Sequence, residues 1–197
     1  MPVVPLSVMS HNTLAQHYFL DALDLCHRFH AHWDDQPRKS SRVKSYVDLL
    51  MACECMLKAQ CIVAREHLPL IEAYREVKVL GHNIMKLAAA ADEAFPSDVH
   101  GQACEYFGSF GVGLRYSVDA HEYFFPVGIP PKSGKKGYDE TLGNNVWRKA
   151  AVATVRELLE WGKKRFNEEV TDNIADILRS ATEVEAVICS RPTKQPK

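Results

Sequence analysis

Leu49-Leu50-Met51-Ala52-Cys53-Glu54-Cys55-Met56-Leu57-Lys58-Ala59 is the stretch on which the reading of the fold turns. It lies inside a longer segment, from a possible Ser40 or Ser41 cap to about Glu66. There Val43, Val47, Leu50, Leu57 and Cys61 recur at helical spacing. Glu54 falls within that apolar stripe. A carboxylate on a buried face is costly unless it is paired. Lys58 stands four residues later, which places acid before base on one helical face, the favourable order for an ion pair. Glu54 and Lys58 are therefore expected to form a structural polar pair within the core.

The pattern continues on both sides. Leu14, Tyr18, Ala22, Leu25 and Phe29 mark one face of a helix over residues 11–33, ended before Pro37. Pro69 can open a third helix, Leu70 to Leu80, interrupted at Gly81. A helix is expected from Asn83 to Phe95, and a short one from a Ser97 cap to about Phe110. The Val, Tyr and Phe content of 116–127 points to a short extended piece or hairpin arm. Residues 126–143 read as a loop with a basic tip of Lys132, Lys135 and Lys136. After Asn144 or Asn145, Trp147, Ala151, Val155, Leu158 and Phe166 mark a long helix from Val146 to about Val170. A last helix is expected at about 172–189, before a disordered tail at 190–197. The sum is an all-α antiparallel bundle of about five to six helices, forming a single domain over 1–189.

Composition agrees. The 197 residues are 46% hydrophobic and 25% charged, with a net charge of -1, which excludes wholesale disorder and a broadly basic surface. No segment approaches the ~20 apolar residues of a membrane span. The opening residues, with Pro2 and Pro5, lack the pattern of a secretory signal. Six cysteines without a CxxC pair read as free thiols in a reducing cytoplasm.

Several patterns approach a known chemistry and fall short. Gly108-Ser109 with Asp119 is similar to the signature of minimal nucleotidyltransferases, but His121 stands where the second carboxylate belongs. The first helix is rich in His, and His17 with Asp21 and His30 with Asp34 share faces. Only Asp24 and His27 approach a di-iron motif, and they have no partner helix. No metal or cofactor is therefore expected. No Ser–His–acid set stands out, and no one thiol is singled out as a nucleophile.

Three strings occur in order: Glu54-Cys55-Met56-Leu57-Lys58-Ala59, Gly81-His82-Asn83-Ile84 and Leu114-Arg115-Tyr116. Together they resemble the HEPN superfamily of nucleic-acid-associated helical domains. Many members carry E-x-x-L-K-A on a second helix, G-H-D-L entering a third, and L-R-Y before the last core helix. Asn83 replaces the usual acid and can still cap. The resemblance covers about residues 10–166, so the 172–189 helix would be an extension. His82, entering its helix after Gly81, is expected to reach Glu54, completing a Glu54–Lys58–His82 network that reads as structural before catalytic.

Active HEPN ribonucleases place His after an Arg with four to six residues between them, and two copies meet across a dimer. The resemblance implies two candidate catalytic pairs here, Arg115 with His121 and, alternatively, Arg75 with His82. The family prefers Asn, Asp or His directly after the Arg, whereas Tyr116 and Glu76 stand there. The first expectation is thus a non-catalytic binding or scaffold module, homodimeric, with RNA or an antitoxin-type protein as partner. The alternative is a metal-independent endoribonuclease of toxin or phage-defence type.

Overall fold

Helix α2, Lys39–Val63, runs through the centre of the bundle, and most other elements pack against it. The computed structural model describes residues 9–31, 39–125 and 137–166. Around α2 lie α1 (His11–Ala31), α3 (Leu70–Leu80), α4 (Ile84–Asp92), α5 (Asp98–Phe107), α6 (Ser117–Phe124) and α7 (Asn145–Phe166). A single 3-10 turn, Val112–Arg115, precedes α6. Among the described residues there is no strand, and the protein is an all-α helical bundle. No helix among them is long and apolar enough to cross a membrane.

Local chemistry explains the boundaries. Asn83 accepts from the Lys86 amide at 3.0 Å, and Ser97 from the Val99 amide at 3.4 Å, satisfying free N–H groups at the starts of α4 and α5. Asn144 does the same for α7, accepting from Val146 at 2.9 Å. Gly81 sits at φ 65°, a left-handed conformation open to glycine, which turns the chain from α3 toward α4.

The apolar stripes meet in one continuous core. The longest helix pairing is α1 on α2, and α7 closes the bundle over α1, α2 and α5. At one end Tyr46, Phe107, Phe110 and Trp147 form an aromatic cluster, with Tyr46 stacked on Phe107 at 5.6 Å. Where α7 crosses α1, Gly162 lies against the Phe19 ring, and a Cβ there would also come within 3.0 Å of the Met56 methyl.

One expectation is corrected. Residues 117–124 are helical rather than extended. Val118 is exposed while Ala120 and Phe124 are buried, so burial follows a four-residue spacing rather than alternation. β-propensity mostly expresses packing on a pleated surface, and no strand among the described residues offers one. The helix expected at 172–189, the tail at 190–197 and the lysine-bearing loop tip lie outside the described residues.

Candidate functional site

Glu54 is 5% exposed, at the centre of α2. Lys58 Nζ donates to its Oε1 at 2.7 Å, and His82 Nδ1 lies 2.8 Å from Oε1 and 3.0 Å from Oε2. One buried carboxylate thus accepts from two elements, its own helix and the turn after α3. The pairing relieves the desolvation of the charge. The His82 side chain is 65% exposed. Its Nδ1 is anchored inward while most of the ring faces solvent, and Nε2 has no partner among the described residues. Tyr18, half-buried near Glu54, has its phenol pushed up to about 12, first by burial and then by the neighbouring acidic groups, Tyr74 foremost. Arg75 is exposed on α3, and no hydrogen bond joins it to His82.

Arg115 ends the 3-10 turn and His121 lies on α6. Both are exposed, and no hydrogen bond joins them. The Arg115 guanidinium stacks over the Tyr116 ring at 4.8 Å. His121 lies beside Phe125 at the rim of a pocket of about 190 Å³, whose other walls include Val43, Lys44, Leu114 and Ala120. Asp119 is on a helix and not on a strand, which removes the arrangement that the nucleotidyltransferase signature requires.

Sequence reasoning missed a second polar network. His100 is 3% exposed; its Nδ1 donates to Asp92 Oδ1 at 2.9 Å, and its Nε2 meets the Gln60 side-chain amide at 3.0 Å. Asp92 also accepts from the Ser97 amide at 3.0 Å. These contacts tie α2, the end of α4 and the start of α5 together. The only local signal was a polar Gln60 beside the apolar stripe of α2; Asp92 and His100 share no helical face.

Four of the described thiols are poor nucleophiles. Burial raises Cys26 and Cys61 to about 11 and Cys55 to about 12, and pushes Cys53 well above the usual thiol range. Among the described residues no group of three or more His, Cys, Asp or Glu is placed to hold a metal ion. No family model matches this chain, and neither a curated protein nor a solved structure does.

Proposed function

We propose that this chain is a HEPN-like helical module that acts by binding, with α6 and the turn before it forming the contact between two copies. The observation that carries this reading is the composition of that surface. Arg115, Tyr116, Val118, Asp119, His121 and Glu122 are all exposed there, beside the small apolar pocket. A two-fold interface sets one patch against itself, so residue i meets j and j meets i. A patch with both charge signs around apolar groups can satisfy that rule. The order of the three strings around Glu54, His82 and Arg115 supports the family resemblance. RNA or an antitoxin-type protein is the proposed ligand of the dimer. The free cysteines fit a cytoplasmic setting.

The reading is tested by light scattering on the wild type and on Val118→Asp. A concentration-dependent dimer that Val118→Asp dissociates is expected. A wild-type protein that stays monomeric across the concentration range overturns it.

A second reading, metal-independent endoribonuclease, is supported by the exposure of both Arg115 and His121 on one short segment. His121 would move the 2′-hydroxyl proton, and Arg115 would stabilise the pentacoordinate phosphate. Tyr116 puts binding ahead of cleavage, since its ring occupies one face of the Arg115 guanidinium. The nuclease reading expects RNA cleavage in EDTA, cyclic phosphate ends, and loss of both in His121→Ala. Cleavage by His121→Ala at the wild-type rate removes it.

A further inference from the structure

A cleft of about 410 Å³ lies between α1 and α7, lined by His30, Lys149, Val152, Ala153 and Arg156. Among the described residues, every ionisable side chain on that lining is basic. His30, Lys149 and Arg156 are exposed, and among the described residues none of them has an ion pair. The carboxylates of α7 do not serve this cleft. Glu157 and Glu160 line a separate one with Trp161 and His100, and Glu160 pairs with Lys163 at 3.2 Å. Burial, then Arg156 and His27, hold the His30 imidazole below its usual range, and no carboxylate among the described residues offsets them. The cleft is thus a local concentration of positive charge on a chain whose net charge is only -1.

We propose that this cleft binds a phosphate group, held by Arg156 and Lys149 with His30 as a third donor. The chemistry of the three side chains fits that anion. A guanidinium presents parallel N–H donors matched to two phosphate oxygens, and the ammonium adds a point charge. Val152 and the small Ala153 leave apolar room beside the cations for the group that carries the phosphate. That group is either a free nucleotide or one unit of a nucleic-acid strand. The site shares no residue with the α6 surface and does not depend on the dimer reading.

The test uses the full-length protein and follows the His30 ring signals by NMR during titration with inorganic phosphate, with chloride as control. A saturable shift with phosphate alone is expected. Arg156→Gln and Lys149→Gln should each weaken binding by about ten-fold, the loss of one charge-assisted hydrogen bond. Lys78→Gln, on α3, should bind as the wild type. Two further probes distinguish the sources. If the group belongs to a strand, an oligouridylate binds more tightly than uridine monophosphate, and Arg156→Gln reduces its logarithmic salt slope by about 0.7. If it belongs to a free nucleotide, uridine monophosphate binds at least as tightly and that slope does not change. Both results support a phosphate site. Absence of a saturable shift, or Arg156→Gln and Lys149→Gln binding as the wild type, overturns it.

Discussion

His82 Nδ1 lies 2.8 Å from Oε1 of Glu54, a contact that joins an exposed ring to a carboxylate in the middle of the core. The two donors to Glu54 differ in burial. The Lys58 side chain is 14% exposed and the His82 side chain 65%. Glu54→Ala leaves the Lys58 charge largely buried without a partner, and a loss of about 3 kcal/mol is expected. His82→Ala removes a mostly solvated donor and should cost at most about 1 kcal/mol. Urea denaturation of the two variants measures the difference. A loss in His82→Ala as large as in Glu54→Ala would show that the histidine, and not the lysine, holds the carboxylate.

Acid should loosen the joint between α4 and α5. The Ser97 amide, then the hydrogen bond from His100, hold the Asp92 carboxyl below its usual range. A carboxyl depressed in the folded state contributes stability that is present above its unfolded pKa. That stability is lost as pH falls through the folded pKa. Asp92→Asn should therefore be less stable than the wild type at neutral pH, and the gap should close below the ordinary carboxylate range. Urea melts from neutral to acid pH record it; a gap that stays constant would remove Asp92 as the source.

Thiol reagents should react slowly with four of the cysteines in the native protein. Burial keeps Cys26, Cys53, Cys55 and Cys61 protonated at neutral pH. Peptide mapping after brief native alkylation should recover these four unmodified, and complete labelling should need denaturant. Rapid native labelling of any of the four would show that the core opens there.

Gly162→Ala is expected to destabilise the protein by about 1–3 kcal/mol through overpacking. In a free helix the same change would stabilise by about 1 kcal/mol. A methyl group at this position collides with Phe19, so a destabilising sign is expected in thermal melts, and a stabilising one would show that α7 moves off α1 at little cost.

Much of this architecture could be read from residue spacing. The α1, α2 and α7 stripes predicted their buried faces, and Asn83, Ser97 and the Asn144–Asn145 pair predicted three helix starts. Glu54 with Lys58 was legible because both members lie on one helix, four residues apart. What was not legible depends on contacts between elements. Asp92, Gln60 and His100 meet only after α2, α4 and α5 pack, and His30 meets Lys149 and Arg156 only once α7 lies on α1. The 117–124 segment misled through its Tyr, Val and Phe content, because its helical state rests on burying Ala120 and Phe124 against the bundle.

Gly162 and Phe166 bear on Phe19, so residues from the first and last described helices seal the core together. During synthesis this closure comes late. While the ribosome is still making α7, the faces of α1 and α2 that carry Phe19 and Met56 have no cover. A chain halted before residue 145 should aggregate or be held by chaperones rather than fold as a smaller bundle.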